Sequence, residues 1–440
     1  MRNLLCAAIF ILLQQQLFMS EAIPPTWSRE ISDDGDERPG AADAQKALYE
    51  DQAEYTVRIQ DRDHILKLTK ARDLLPLDFT ASYYRGEGEL VTESPRHLAH
   101  CCYTGTVEGV AESSASLCTC HGLSGYITIR DDTYVLDHHP SSGSLSPVAT
   151  MLRKRTPPPD SHDRQTRSLY FTATKGQREN YNIELFLVAD KKEFQRHGED
   201  LERTRQHLIS VAHHLGQIFS KIGFQVFLVG VEIWTQENRA FISETAHSTL
   251  QHFLRWRMEE LLPRKHHDNV QLISGAHFRN HALGEAFLGK MCTRGQSGGI
   301  IKDTGLSARE LAKYVAHEMG HNLGMSHDTE NCYCPAAKGK CLLSRRTGCN
   351  MNDLFSDCSH RFLNRFLEEK NVTCLKDRPQ TYIDEPKLHT HSTGYSPLEA
   401  VGMVSVVLCP VVFLMLLVII CNMKLLPRRK VKIVRTNFPS

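Results

Sequence analysis

Neither sign of charge prevails in this sequence: 52 Lys and Arg stand against 51 Asp and Glu over 440 residues, a formal net charge of +1. That balance removes the phosphate attraction on which sequence-independent nucleic-acid binding rests, so no nucleic acid is expected among the partners. No class of residue is extreme either. With 41% hydrophobic, 23% charged and 8% aromatic residues, the composition excludes wholesale disorder, a collagen-like repeat and a multi-pass membrane protein. Cysteine is missing between Cys120 and Cys292, yet fourteen are present, ten of them in two clusters, Cys101–Cys120 and Cys332–Cys374. Such usage fits an oxidising compartment rather than the cytosol. At roughly 150 residues per domain the length suggests about three units.

The two ends agree with that compartment. Arg2, the apolar run Leu4–Leu13 and the small residues before Ile23 read as a secretory signal peptide over 1–22. Ala400–Cys421 is free of charge and long enough to cross a bilayer, giving a transmembrane helix at 400–422. Lys424, Arg428, Arg429, Lys430, Lys432 and Arg435 follow it, so the positive-inside rule places 423–440 in the cytoplasm. The expected protein is single-pass type I at the cell surface or in a secretory-pathway membrane, with everything before a stalk at 379–399 luminal or extracellular.

Residues 23–54 are polar and acidic, without a hydrophobic period. From Tyr55 to Asp137 short alternating runs (YTVRI, HILKL, YITIRDDTYVLD) between Gly, Asp and Ser predict a small antiparallel β domain. A Pro-, Ser- and Arg-rich linker follows to Arg167, and Arg153-Lys154-Arg155 and Arg164-Gln-Thr-Arg167 in it are either convertase sites or simply solvated charge. Beyond it the texture is α/β: strands at 183–190, 224–234, 269–275 and 284–289, and helices at 201–222, 248–262, 308–323 and 359–370. Their order predicts an α/β domain on a mixed sheet.

The chemistry concentrates at residues 317–328, His-Glu-Met-Gly-His-Asn-Leu-Gly-Met-Ser-His-Asp. Four apart on a helix, His317 and His321 share a face and can reach one cation, with Glu318 beside the open position. Gly324 can leave the helix with φ > 0 and bring His327 to the same metal. Three neutral histidines leave a fourth position for water, as a catalytic zinc requires; the metal would activate that water and Glu318 would act as general base. The five fixed positions would coincide by chance about twice in ten thousand chains of this length.

HEMGHNLGMSHD resembles the zinc motif of the adamalysin/reprolysin metzincins, and the wider chain resembles the ADAM family (a disintegrin and metalloproteinase), closest in texture to its ADAM 8 and decysin branch. The likeness runs through HCCYTGTVEGVAESSASLCTCHGLSGYI (100–127), NIELFLVADKKEF (182–194), VGVEIW (229–234), HDNVQLISG (267–275) and LFSDCSHRFLNRFLEEKNVTCL (354–375). It implies a zymogen: a β-rich prodomain at 23–167 and a metzincin zinc endopeptidase domain at 168–378, on a mixed, mainly parallel sheet with an active-site helix, acting on protein substrates. It also implies the disulfides Cys292–Cys374, Cys332–Cys358, Cys334–Cys341 and Cys101–Cys120, while Cys102 and Cys118 could form an adjacent bridge. A structural calcium site is implied at Glu184, Asp268, the Cys374 carbonyl and Asp377, against the alternative of ordinary surface carboxylates. Asn371-Val-Thr373 is a glycosylation sequon.

The sequence departs from the family in three ways. No cysteine stands where the prodomain's inhibitory thiolate belongs, so latency would come from the prodomain covering the cleft or from Cys118 or Cys120 acting out of register. Leu343 occupies the position of the methionine beneath the zinc, and Leu for Met roughly conserves volume. No disintegrin, cysteine-rich or EGF-like segment is expected between Cys374 and the span. The rival to a protease is therefore a catalytically weak or silent binding module that retains the metal as a scaffold.

Overall fold

The computed structural model describes residues 49–381 apart from 61, 95–99, 121, 131, 138–147, 153–180, 336–339 and 346–353. The leader at 1–22, the basic sites at Arg155 and Arg167, Cys349 and the apolar run at 400–422 lie outside the described residues. Among those described, no helix is long and apolar enough to cross a membrane.

Alternation builds the first sheet. Strands β1 (Gln52–Ile59) and β2 (Arg62–Lys70) form a hairpin turned at Gln60, where φ is 50°. Val57, Ile59, Leu66 and Leu68 all point to one buried face, as period two demands. Strands β5 (Cys102–Val107), β6 (Ser113–Cys118), β7 (Ser124–Ile129), β8 (Asp132–Asp137) and β9 (Val148–Leu152) extend it, antiparallel throughout, in the order β1-β2-β5-β6-β7-β8-β9.

The second sheet runs β13-β14-β12-β10-β11-β3-β4. Its centre is parallel: β10 (Tyr181–Ala189) pairs with β11 (Phe224–Ile233) and β12 (Asn269–Ser274), and β12 with β14 (Gly298–Lys302). The short β13 (Gly284–Ala286) closes one edge antiparallel to β14. Near-continuous burial along β10, β11 and β12 is what a sheet covered on both faces requires. Helices α1 (Lys191–Arg196), α2 (Leu201–Ser220), α3 (Ala246–Trp256), α4 (Ala308–Asn322) and α5 (Asp357–Glu369) supply that cover. Each is N-capped by a side-chain oxygen, from Asp190, Asp200, Thr245, Ser307 and Ser356 respectively. The strand expected at 284–289 is shorter, β14 and α1 were not foreseen, and the helix expected at 248–262 changes to a π turn at Arg257–Leu261.

The expected self-contained β domain needs one correction. Strands β3 (Thr80–Arg85) and β4 (Glu89–Glu93), which arise within it by sequence, belong to the second sheet: β3 pairs in parallel with Gly230–Ile233 of β11, and β4 pairs back on β3. The reason is that β11 buries nine of its ten residues and would otherwise present a bare edge. The junction is specific. Tyr84 and Thr235 exchange two hydrogen bonds, from the Tyr84 amide to Thr235 Oγ1 at 3.1 Å and from the Thr235 hydroxyl back to the Tyr84 carbonyl. The Tyr84 hydroxyl donates to buried Glu232 at 2.7 Å, and Lys265 pairs with Asp78 at 2.7 Å. Leu74, Leu75, Phe79 and Ala81 share one core with Leu208, Leu215, Val231 and Leu343.

Thr235→Val, which keeps the shape and removes both bonds to Tyr84, is expected to destabilise the protein by about 1–3 kcal/mol in denaturant unfolding. An unchanged midpoint would mean that the β3–β11 junction does not contribute to stability.

Candidate active site

Helix α4 carries the site. Ser307 accepts the Glu310 amide at 3.3 Å to start it, and Gly324 ends it with φ of 83°, the Met325 amide reaching back to the Gly320 carbonyl at 2.9 Å. A side chain at Gly324 would also collide with Phe366 of α5, at 3.0 Å. Position 324 therefore needs glycine twice, for its backbone and for its neighbour, and the turn it makes brings His327 back toward the helix.

Three imidazoles converge there. His317 Nε2 lies 3.1 Å from His321 Nε2 and 3.2 Å from His327 Nε2. On the far side of two rings stand backbone carbonyls, Leu342 O at 2.6 Å from His317 Nδ1 and Met325 O at 2.7 Å from His321 Nδ1. A carbonyl only accepts, so both Nδ1 atoms carry the proton and both Nε2 atoms point a lone pair at the other. Burial pushes the His317 imidazole down to about 3 and lowers His321 and His327 as well, so all three are neutral near pH 7. Neutral nitrogen donors facing one another at this range suit a shared cation such as zinc, and the donor set fits it.

Glu318 stands beside them, 6% exposed. Burial, and after it the charge of Glu285, raises its carboxyl well above the ordinary range, and its Oε2 has no donor facing it. Room for the carboxylate comes from β13 and β14: a Cβ at Gly284 would lie 2.3 Å from Glu318 Oε1, and one at Gly299 3.2 Å from Glu318 Cβ.

Leu343, fully buried, lies beneath the helix, and its two methyls and the Met325 sulfur are what a Cβ at Gly320 would meet at 3.2–3.5 Å. Its carbonyl accepts the Asp328 amide at 2.8 Å. Leucine thus fills the floor, and the adjacent Leu342 carbonyl orients His317.

Two positioning residues escaped the sequence reading. Asn322, 0% exposed, donates to the carbonyls of Phe287 (3.0 Å) and Gly298 (3.1 Å) and accepts from Asn269 (2.7 Å) and Gln271 (3.3 Å), fastening α4 to the sheet. It sits at a variable position of the zinc motif. Arg257, 2% exposed, donates to His267 Nε2 at 2.8 Å and to the Arg294 carbonyl at 2.7 Å; only the π turn aims it inward.

The acidic residues expected around calcium are drawn together. Asp268 Oδ2 accepts the Glu184 amide at 2.9 Å, Asn182 donates to the Asp377 carbonyl at 2.8 Å, and one ligand atom each of Glu184, His266 and Asp268 lies within 4.8 Å of the others. Burial raises Asp268 to about 8, with Glu184 and Asp377 adding to the rise. Asn371 is exposed.

The cysteines pair as Cys292–Cys374, Cys332–Cys358, Cys334–Cys341, Cys101–Cys120 and Cys102–Cys118. Cys118 and Cys120, being bonded, offer no thiolate to the histidine site. Nor do the described strands before the linker reach it. They pack on α2, where Ser116 meets His213 at 2.8 Å, and on the β11 edge of the sheet, whereas Glu318 lies against β13 at the opposite edge.

Comparison with known proteins gives the same account of the chain. Residues 181–379 match the family described as reprolysin (M12B) zinc metalloprotease, and residues 13–108 match the reprolysin family propeptide. Disintegrin and metalloproteinase domain-containing protein 12 of Mus musculus is 36% identical over 343 residues, covering 74% of this chain and 38% of its own length. The corresponding protein 19 of Homo sapiens is 35% identical over 347 residues, covering 75% and 36%. This chain therefore spans less than two fifths of the length of these relatives. A three-histidine site on a glycine-terminated helix, behind a propeptide of the matching type, places the chain in the reprolysin (M12B) family of zinc metalloproteases.

Proposed function

We propose that this chain is a membrane-anchored, zinc-dependent endopeptidase that hydrolyses peptide bonds of extracellular or membrane-proximal proteins. The observation carrying the proposal is the convergence of three neutral Nε2 atoms beside a buried, donor-free glutamate. His317, His321 and His327 would hold the zinc, which when bound polarises the scissile carbonyl and acidifies a water. Glu318 takes up the proton of the attacking water and returns it to the leaving amine, a role suited to a carboxyl that burial makes more basic than usual. Strand β13 is an edge with α4 beside it, so an extended substrate backbone can pair along it and bring its carbonyl to the histidines. Anchoring would come from the run at 400–422. Calcium would bind at Glu184, Asp268, Asp377 and the carbonyl of Cys374, and Asn371 would carry a glycan.

Glu318→Gln in the full chain is expected to retain zinc and to lose hydrolysis of a peptide library by about 10²–10⁴-fold, the usual worth of a general base. Gly284→Ala should behave alike, since its new methyl displaces the same carboxylate. Full zinc with no Glu318-dependent hydrolysis in the unchanged chain would favour a silent binding module instead.

A second expectation follows from Asp268. A carboxyl whose folded pKa is raised from 3.8 to about 8 gives stability that is full below about pH 4 and lost as pH rises through 8, because ionisation in the buried site is unfavourable. Calcium compensates that ionised form, so it should raise the melting temperature more at pH 8 than at pH 5, and Asp268→Asn should abolish the difference. Equal increments at the two pH values would count against the site.

Processing is tested by size. Arg155→Ala together with Arg167→Ala should leave the surface form uncleaved; a surface form of normal size would show that the prodomain is not removed at this linker.

A further inference from the structure

A second group of metal-competent side chains lies apart from the catalytic histidines. Glu193 and His197 stand one turn apart at α1, and His207 projects from the second turn of α2; one ligand atom of each lies within 4.8 Å of the others. The two imidazole rings are 4.5 Å apart, and His197 Nε2 is 3.0 Å from Glu193 Oε1. Glu193 is 0% exposed and His207 5%. Asp303, directly after β14 and 1% exposed, borders the same space. Its Oδ1 accepts the amides of Gly305 (2.7 Å) and Leu306 (2.9 Å), while its Oδ2 is buried with no donor. Burial raises the Glu193 carboxyl, its hydrogen bond to His197 pulls it down, and Asp303, through its charge and a side-chain hydrogen bond to Glu193, pushes it up again. Arg196 lies against both, with Nε 3.3 Å from Glu193 Oε2 and Nη2 3.0 Å from the Asp303 carbonyl.

The Glu193 and Asp303 side chains share a hydrogen bond, which takes one proton held between the two carboxyls. A bound cation can replace that proton and compensate both carboxylates in the buried site. Two imidazoles and a carboxylate form a mixed nitrogen and oxygen donor set, which suits zinc rather than the all-oxygen preference of calcium or magnesium. We propose that His197, His207 and Glu193 bind a second zinc ion, with Asp303 as the neighbouring carboxylate. Glu193 and His207 are buried and the His197 side chain is 11% exposed, so the ion's role is structural. It ties α1, the start of α2 and the loop into α4 into one unit at the end of the zinc helix opposite His317 and His321.

The test counts zinc in the full chain, dialysed against Zn2+ with excess Ca2+ present and measured by elemental mass spectrometry. The unchanged chain should hold two ions, His317→Ala/His321→Ala one, His197→Gln/His207→Gln one, and the fourfold variant none. One ion in the unchanged chain, or an ion that persists in the fourfold variant, overturns the proposal. Should the His197/His207 variant fail to fold, the X-ray absorption spectrum of zinc in His317→Ala/His321→Ala decides. A nitrogen and oxygen shell at about 2.0–2.2 Å that includes imidazole scattering supports the site, and a shell of oxygen alone or an absence of metal refutes it. None of these readouts depends on whether the chain cleaves peptides.

Discussion

Everything at the three-histidine site depends on two backbone carbonyls. Leu342 O and Met325 O each take the Nδ1 proton of a histidine, and that choice of tautomer turns the Nε2 lone pairs inward. The Met325 carbonyl is where it is because Gly324 ends α4 in a left-handed turn, and the Leu342 carbonyl because Leu343 fills the space below Gly320. Disulfides Cys332–Cys358 and Cys334–Cys341 staple the segment that supplies Leu342. The helix itself is fixed by Asn322, whose amide spans β12 and the strand beside it. Metal affinity in this protein is therefore a property of how the chain leaves its helix, as much as of the three histidines.

How much of this could be read from the sequence depends on the range of the interaction. The convergence of His317, His321 and His327 was legible because i, i+4 spacing and one glycine encode it locally. The central strands were legible from long apolar runs such as those of β10 and β11, while their mainly parallel arrangement was implied only by the family resemblance. Asn322 and Arg257 were not, because an Asn at a variable motif position, or an Arg after an amphipathic helix, normally faces solvent; what turns them inward is a partner more than twenty residues away or a π turn. Four of the cysteine pairs became legible only through the family resemblance, since spacing leaves connectivity open, and Cys102–Cys118 was no more than a bridge that those two residues could form.

The largest discrepancy lies in β3. Its sequence, TASYYR, looks like any short strand of an antiparallel domain, and its neighbours in the chain do form one. Its partner is β11, some 150 residues later, and nothing local in either segment announces the pairing. What selects it is the demand of β11 for cover on its free edge, a demand that exists only once the second sheet has assembled. The same pairing bears on latency. The described part of the prodomain is fastened to one side of the sheet and Glu318 lies against the other, so contact over the histidines is not how those strands act.

Strand β11 also sets a condition on any shorter form of the protein. A chain starting at residue 181 contains all three histidines and begins where the family match begins. It would nevertheless carry, along the far border of its sheet, a row of amide and carbonyl groups from Gly230 to Ile233 with no partner, flanked by apolar side chains that Ala81 and Phe79 now cover. Such a border is a template on which an extended peptide can pair. The trimmed protein would thus expose an uncovered border at the edge of the sheet opposite β13.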